Sequence, residues 1–215
     1  MSYDLTRQRM VEQQVRVWDV SMPSVLAVLG EVAREQFAPA GCKDVAYADT
    51  EIPLPHKQVM LRPMIEGRML QALAPASGDR VLEIGTGTGY LTACLAKMCS
   101  AVTSIDHRQD FIDAATRHLE AAGTVNVTLQ CMDAMAELPE GEFDAIAVSG
   151  SVPRVDERFT RALRPGGRLF LVVGRSPAMS ALLITRETDG FRQQCLFETD
   201  IPPLAHAAGE AVFAF

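Results

Sequence analysis

The length, composition and charge of the chain set the first limits. At 215 residues it is long enough for one domain, or for one domain with an extension, and 48% of its residues are hydrophobic, enough for a core. A wholly disordered protein is therefore excluded. The formal net charge is −7, so the chain lacks the surplus of Lys and Arg that a general nucleic-acid binder needs. We predict no nucleic-acid partner.

The cysteines and the apolar runs bear on the compartment and on metal binding. The five cysteines form no CxxC pair, and no histidine has another histidine or a cysteine at ligand spacing, so we expect reduced thiols and no metal. The first residues are polar and charged, unlike a secretory signal. No run reaches the ~18 apolar residues of a membrane span. The sequence thus predicts a cytoplasmic protein without a membrane partner.

The composition changes near Asp79. Residues 1–78 read as short helices and irregular loops, which we interpret as an N-terminal helical extension packed on a main domain over residues 79–215. The predicted elements of the extension are a helix with Val11, Val15 and Trp18 at helical spacing, a second helix opening near Pro23, a long loop over Tyr47–Pro63 and a helix over Pro63–Ala74. Loops of that length are usually binding or lid elements.

Apolar strand-like runs alternate with helical patterns in the main domain. The predicted strands are Arg80–Ile84, Val102–Ile105, Val125–Leu129, Phe143–Ser149 and Arg168–Val173. The predicted helices are Gly89–Met98 and a helix that is marked by Phe111 and Leu119 and stops at Gly123. The turn Pro165-Gly166-Gly167 is predicted to introduce the fifth strand. Two further runs, Leu182–Arg186 and Arg192–Phe197, flank Asp189-Gly190, which indicates a hairpin. The pattern predicts an α/β fold with a mainly parallel sheet, helices on both faces and a C-terminal antiparallel hairpin.

A glycine-rich turn follows the first of these strands, in the stretch Glu83-Ile84-Gly85-Thr86-Gly87-Thr88-Gly89-Tyr90. Glycine lets a ligand approach the backbone, and open α/β sheets bind nucleotides at this place. The third glycine comes two positions after the second, unlike a dinucleotide fingerprint, and no Gly-Lys-Ser/Thr of a phosphate loop follows. Asp106 ends the next strand, where an acid would accept the ribose hydroxyls of an adenosine group. A helix cap is its alternative role.

The pattern E-x-G-x-G-x-G resembles motif I of the S-adenosylmethionine (SAM)-dependent methyltransferases. Phe143–Ser149 and Leu163–Leu169 resemble further motifs of that superfamily. The resemblance implies a Rossmann-like fold that binds SAM and releases S-adenosyl-L-homocysteine (SAH), with Asp133 meeting the adenine amino group. The cofactor-binding residues that it implies are Glu83, Gly85, Thr86, Gly87, Thr88, Gly89, Tyr90, Asp106, His107, Asp133, Ala134 and Ser149.

Segments of the extension resemble the protein-L-isoaspartate O-methyltransferase family. They are Met10–Val15, Arg34–Pro39, Ala46–Asp49, Pro53-Leu54 and Gln58–Pro63. The resemblance implies a seven-stranded sheet whose last strand is reversed. It also implies methyl transfer to the side-chain carboxylate of isoaspartyl residues in damaged proteins, and hence a protein or peptide partner. An ionised carboxylate needs no strong base, so catalysis can rest on positioning and desolvation.

One loop departs from the family, which carries G-x-G-Q-T-I-S-x-P with an active-site serine. Here Pro55 and Lys57 replace the glycines, Val59 replaces the threonine and Leu61 replaces the serine. Leucine has no hydroxyl, so a polar group of the substrate would lose its partner there. We therefore assign no catalytic residue and predict that Leu61 lines the methyl-transfer cleft. Ala205 likewise stands where the family usually has a hydroxyl residue.

Three functions are compatible with these residues. The first, which the motifs favour, is an O-methyltransferase for isoaspartyl residues or a related carboxylate. The second is a SAM-binding protein without that activity. The third is a methyltransferase for another acceptor, such as an RNA or another amine. Amine methyltransferases of the adenine type usually show Asn/Asp-Pro-Pro-Tyr/Phe after the fourth strand, whereas this chain has Ser149-Gly150-Ser151-Val152-Pro153.

Overall fold

The computed structural model describes residues 3–207. Its α-helices are α1 (Tyr3–Met10), α2 (Pro23–Glu31), α3 (Pro63–Leu73), α4 (Tyr90–Met98), α5 (Gln109–Ala121) and α6 (Glu157–Arg161). Its strands are β1 (Ile52–Pro53), β2 (Val59–Met60), β3 (Arg80–Ile84), β4 (Ala101–Asp106), β5 (Val127–Cys131), β6 (Phe143–Val152), β7 (Leu163–Arg175), β8 (Ala178–Glu187) and β9 (Gly190–Thr199).

Seven strands form one sheet in the order β5-β4-β3-β6-β7-β8-β9. The strands from β5 to β7 in this order are parallel, and β8 runs antiparallel to both of its neighbours. The predicted α/β fold, with a mainly parallel seven-stranded sheet and a C-terminal hairpin, is confirmed. The expectation that the last strand is reversed is wrong. A chain that leaves β7 through a short turn can only return antiparallel, so β8 is reversed and β9 regains the common direction.

The strand order creates a crevice at the carboxyl edge of the sheet. From β3 the chain moves outward through β4 to β5, and it then returns to the opposite side of β3 as β6. The carboxyl ends of β3, β4 and β6 therefore border a point where the winding direction changes. Ligands of open α/β sheets bind at such points.

Alternate side chains of the central strands enter two hydrophobic cores on opposite faces of the sheet. Val81 and Ala145 pack with the N-terminal helices, α3 and α4, whereas Leu82 and Ile146 pack on the other face with α6. Because the side-chain period of a strand is two, a sheet covered on both faces needs nearly continuous apolar strands. The segment before residue 79 thus shares a core with the sheet. The division of the chain between residues 78 and 79 stays a prediction.

Three predicted local elements differ from the structure. The segment Tyr47–Pro63 is not irregular throughout, since Ile52 pairs with Met60 in the antiparallel ladder of β1 and β2. Val125 lies outside β5 and is 93% exposed, because the strand begins at Val127, where it pairs with β4. The stretch Pro165–Gly167 belongs to β7, whose register with β6 shifts there.

The first predicted helix changes its pitch along its length. α1 ends at Met10, a π-helical turn covers Val11–Val15 and a 3₁₀ turn covers Arg16–Trp18. Val15 is fully buried, whereas Trp18 is 46% exposed. Each change of pitch rotates the side chains that follow, so a constant helical spacing does not keep Trp18 on the buried face.

Two expectations about the whole chain concern cysteines and membranes. All five cysteines are free thiols, as predicted. Within residues 3–207, no helix combines the length and the apolarity that crossing a bilayer requires.

Candidate active site

The glycine turn joins β3 to α4 at the carboxyl edge of the sheet. Gly85, Gly87 and Gly89 have φ angles of 97°, 49° and 85°, in a region that residues with a side chain rarely adopt. At Gly85 a Cβ atom would also lie 2.2 Å from Ser149 Oγ. The Ser149 hydroxyl donates instead to the Gly85 carbonyl oxygen, at 2.8 Å. The turn thus requires glycine at Gly85, and the hydrogen bond from Ser149 attaches it to β6.

Glu83 is fully buried near the end of β3. Its Oε2 accepts hydrogen bonds from Thr92 Oγ1 at 2.5 Å and from Ser104 Oγ at 2.6 Å. Its Oε1 is also buried and has no hydrogen-bond partner within residues 3–207. Burial raises the pKa of Glu83 to about 8, although the two hydrogen bonds act in the opposite direction. A buried acceptor atom without a partner fits a ligand that brings a donor.

The polar residues of the turn are anchored in the surrounding protein. Thr86 Oγ1 lies 2.6 Å from Ser104 Oγ, and the Thr88 carbonyl oxygen lies 2.9 Å from His118 Nδ1. Tyr90 begins α4 and its side chain is buried. These anchors hold the turn in one conformation.

Asp106 ends β4 beside the turn. Its Oδ2 accepts from the Gly87 backbone N–H and its Oδ1 from the Arg108 backbone N–H, both at 3.1 Å. His107 Nδ1 lies 3.4 Å from Asp106 Oδ1. Burial raises the pKa of Asp106, and the two backbone donors partly oppose the rise. A carboxylate offers about four acceptor positions, so lone pairs remain for the hydroxyl groups of a ligand.

Asp133 and Ala134 follow β5 at the same edge of the sheet. Asp133 Oδ1 accepts from the Met135 backbone N–H at 2.9 Å, and its Oδ2 lies 2.7 Å from His206 Nδ1. Burial by itself raises the pKa of Asp133, but the Met135 N–H and His206 outweigh it, and the pKa lies below its ordinary value. Asp133 therefore stays ionised at neutral pH.

These residues line one cleft that has a wide outer part and a narrow inner part. The outer part encloses about 540 Å³ including its open mouth. The predicted residues on its walls are Gly85, Gly87, Asp106, His107, Asp133 and Ala134. Those on the inner part are Glu83, Gly85, Thr86, Gly87, Thr88, Tyr90 and Ser149. Gly89 instead packs against Ala115 of α5. In the part of the chain that the structure describes, no three His, Cys, Asp or Glu side chains cluster as a metal ion requires.

Comparison with known proteins identifies the family. The family model described as protein-L-isoaspartate(D-aspartate) O-methyltransferase matches residues 5–201. The chain belongs to this family. Protein-L-isoaspartate O-methyltransferase 1 of Rhodopseudomonas palustris (strain HaA2) is 36% identical over 216 residues, which cover 99% of this chain and 88% of the relative. The Methylorubrum populi relative of the same family is 36% identical over 97% of this chain and 99% of its own length.

Solved structures agree on the fold. A Plasmodium falciparum structure named as a protein-L-isoaspartate O-methyltransferase, in complex with SAH, has a TM-score of 0.79 at 19% identity and covers 92% of this chain and 97% of its own. A second structure named protein-L-isoaspartate O-methyltransferase has a TM-score of 0.80 at 23% identity, over 95% of this chain and 66% of its own. The predicted class, a SAM-dependent methyltransferase with a Rossmann-like fold, is confirmed.

The residues that follow the β1–β2 hairpin complete the inner part of the cleft. Leu61 is 5% exposed and lines this part together with Glu83 and Ser149. Leu61, which the resemblance aligns with the serine of the family's loop, lies on the cleft wall, where we predicted it. The cleft wall is therefore apolar at Leu61.

Arg34 was missed by the sequence reasoning. It is fully buried, and its Nε donates to the Ala46 carbonyl oxygen at 2.8 Å. Its Nη1 donates to Glu66 Oε2 and its Nη2 donates to the Leu61 carbonyl oxygen. The guanidinium also lies 4.6 Å from the ring centroid of Tyr90. Arg34 therefore connects the loop after the hairpin to the start of α4. The signal available in the sequence was the position of Arg34 in Arg34–Pro39, a segment that resembles the family.

The segment after β9 is a second wall that was missed. Pro203 forms an isolated bridge with Ser151, and the Leu204 N–H donates to the Ser151 carbonyl oxygen at 2.8 Å. Gly150 permits this approach, since a Cβ there would lie 2.8 Å from Leu204 Cα. Leu204 and Ala205 line the outer cleft. The signal available in the sequence was Ala205, which stands where the family usually has a hydroxyl residue.

We expect the affinity for SAM to depend on the protonation of Glu83. With a pKa of about 8, Glu83 is mostly neutral at pH 7, and a ligand ammonium group held at Oε1 would favour the ionised carboxylate. The affinity should therefore rise from pH 6 to pH 8, by up to about ten-fold per pH unit, with release of up to about one proton. Above about pH 8 the amino group of SAM loses its own proton and the affinity should fall. Titration calorimetry in buffers of different ionisation enthalpy measures both quantities.

The Glu83→Gln variant is the control for this expectation, because it keeps the size of the side chain without its charge. It should bind SAM more weakly and lose the rise between pH 6 and pH 8. A variant with the natural pH profile would show that another group titrates.

Proposed function

We propose that this chain transfers the methyl group of SAM to the free carboxylate of an L-isoaspartyl residue (its α-carboxylate) or of a D-aspartyl residue (its side-chain carboxylate) in a protein or peptide. The observation that carries the proposal is that the loop residue Leu61 and the predicted cofactor residues line the same inner part of the cleft. Leu61, at the position of the family's active-site serine, faces the same space as Glu83 and the glycine turn. An acceptor held by the loop would therefore meet the cofactor directly, at the point where the winding of the sheet changes.

The residues of the cleft fit SAM. Glu83 offers an unpartnered acceptor atom, and the turn at Gly85 and Gly87 leaves its backbone open to a ligand. Asp106 would hold the ribose hydroxyls, and Asp133, which stays ionised, would accept from the adenine amino group. The cofactor supplies an electrophilic methyl group on a sulfonium. All of these roles are proposals.

The acceptor needs little chemical help from the protein. An ordinary side-chain carboxylate has a pKa of about 3.9 and is ionised at neutral pH, so no base has to remove a proton. The apolar side chains of Leu54, Val59 and Leu61 line the inner cleft and would keep water from the carboxylate. Holding the two reactants in line is then the main contribution of the chain.

A second candidate function is SAM binding without isoaspartyl methylation, or transfer to a related carboxylate. Leu61 favours it, because a leucine cannot hydrogen-bond an acceptor in a place where it is 5% exposed. The two candidates share the cofactor and differ in whether an isoaspartyl carboxylate receives the methyl group.

We also propose a peptide or protein acceptor in the cytoplasm, without nucleic-acid or membrane partners. The net charge of −7 disfavours binding to phosphates. The five free thiols suit a reducing compartment.

Transfer of labelled methyl from SAM to an isoaspartyl peptide tests the proposal, with the same peptide containing a normal aspartate as the reference. We expect label on the isoaspartyl peptide alone. The Leu61→Ser variant should transfer faster, by roughly 5- to 100-fold, if the restored hydroxyl makes one buried hydrogen bond to the acceptor.

The matched control is Leu61→Ala, which removes the leucine side chain without adding a hydroxyl. It should not reproduce the gain of Leu61→Ser. If neither the natural protein nor Leu61→Ser labels the peptide, while both bind SAM, the second candidate function replaces the first.

A further inference from the structure

Two separate segments form the mouth of the outer cleft. Leu54, Gln58 and Val59 of the β1–β2 hairpin lie on one side, and Phe111 of α5 lies on the other. The tip of the hairpin, Pro55–Lys57, is exposed. Because its tip is exposed, the hairpin stays over the cleft only if a contact fixes the tip to α5.

His56 makes that connection. Its Nε2 lies 2.8 Å from Asp110 Oδ2, in the first turn of α5. Its ring also packs edge-on against Phe111, with the centroids 5.7 Å apart and the planes at 83°. Phe111 is 6% exposed and itself lines the cleft. The hydrogen bond to His56 lowers the pKa of Asp110, so this carboxylate is ionised at neutral pH.

The backbone of the tip has two successive residues with positive φ, the arrangement of a tight two-residue hairpin turn. His56 and Lys57 have φ angles of 60° and 59°, which residues with a Cβ atom rarely adopt. Two such residues in succession persist only where surrounding contacts compensate. The Leu54 N–H donates to the Gln58 carbonyl oxygen, and the Gln58 N–H donates to the Pro55 carbonyl oxygen. These bonds close the turn, and the His56 side chain attaches it to α5.

We propose that His56 and Asp110 form a clip that holds the hairpin closed over bound cofactor and so slows its release. His56 is a positioning residue, because it acts through the hairpin. The clip rests on the cofactor part of the proposed function, but not on the acceptor. The loop of the family that this segment resembles has two glycines at its tip. This chain has Pro55 and Lys57 at those positions, and both residues restrict the backbone more than glycine does. The clip therefore keeps this stiffer hairpin in its position over the cleft.

The rate of SAH dissociation tests the clip without any methyl acceptor. Labelled SAH is bound to the natural protein, His56→Ala, Asp110→Asn and the double variant, and is then chased with excess unlabelled SAH. We expect each single variant to release SAH about 3- to 5-fold faster, as for the loss of one partly exposed ion pair. The double variant should release it no faster than His56→Ala, because both changes open the same contact.

Two controls separate a clip from a general loss of structure. Lys97→Ala removes an ion pair of comparable exposure, Lys97 to Glu31 at 3.1 Å, and should leave the release rate unchanged. His56→Lys supplies an ammonium donor to Asp110 and should restore slow release. The thermal midpoint without ligand should change little in every variant, since exposed pairs add little stability.

Unchanged release in His56→Ala, or additive effects in the double variant, would overturn the clip. A natural protein that binds SAH but does not methylate the isoaspartyl peptide would contradict only the proposed acceptor. A natural protein that does not bind SAH would overturn the clip and the cofactor assignment together.

Discussion

Asp106→Ala should weaken the binding of SAM by about 100-fold or more, since charge-assisted hydrogen bonds to two ribose hydroxyls are each worth about 1.5–3 kcal/mol. Asp106 is 8% exposed at the end of β4, and it lines the outer cleft. Its two backbone bonds, from Gly87 and Arg108, orient the carboxylate and leave acceptor positions for the ligand. Titration calorimetry with SAM and with SAH measures the loss.

Asp144→Ala is the matched control for this variant. Asp144 also accepts a backbone N–H, from Arg80, but it lies at the amino end of β6, away from the cleft. Its replacement should leave the affinity for SAM unchanged. If Asp106→Ala binds SAM as tightly as the natural protein, Asp106 acts as a cap for the turn and for the start of α5, which was the alternative role that the sequence left open.

Arg34→Ala should reduce the free energy of unfolding by about 3–5 kcal/mol, the usual cost of leaving one partner of a buried ion pair alone. Arg34 is fully buried, and its removal deprives Glu66, Ala46 O and Leu61 O of their donor. Burial already raises the pKa of Glu66 to about 7, against the opposing effect of Arg34. For a chain of this size the thermal midpoint should fall by about 6–20 °C.

Two further variants show whether the Glu66 side chain, left without Arg34, causes the loss of stability. Adding Glu66→Gln to Arg34→Ala removes the carboxyl group, which without Arg34 has to take up a proton to stay buried, and should recover part of the stability. Arg161→Ala breaks an exposed pair with Glu157 within α6 and should cost at most about 1 kcal/mol. A cost of Arg34→Ala as small as that of Arg161→Ala would show that water or another group replaces the guanidinium.

The parts of the site that could be predicted lie close together in the chain. Glu83, the glycines and Tyr90 belong to one strand–turn–helix unit, and the missing Cβ atoms permit its backbone conformation. Asp106 and Asp133 could be placed because each follows a strand, and parallel strands deliver their carboxyl ends to one edge. Their hydrogen-bond partners and their pKa values could not be predicted in this way.

The missed parts of the site come from contacts between distant segments. Arg34 and Glu66 are 32 positions apart, and Asp133 and His206 are 73 positions apart. No periodic pattern relates such residues, because their meeting depends on which segments the sheet brings to its edge. Asp133 illustrates the consequence: its position was predictable, but its ionised state depends partly on His206.

The sequence by itself determined the α/β architecture, the place of the glycine turn and the lack of a hydroxyl at Leu61, since all three follow from residue types and their local spacing. The tertiary structure alone decided that β8 is the reversed strand, that Leu61 O is held by Arg34, and that the β1–β2 hairpin meets α5 through His56. The physical reason is that hydrogen bonds and ion pairs need their atoms within about 3 Å. For residues from separate segments, packing of the whole chain sets that distance.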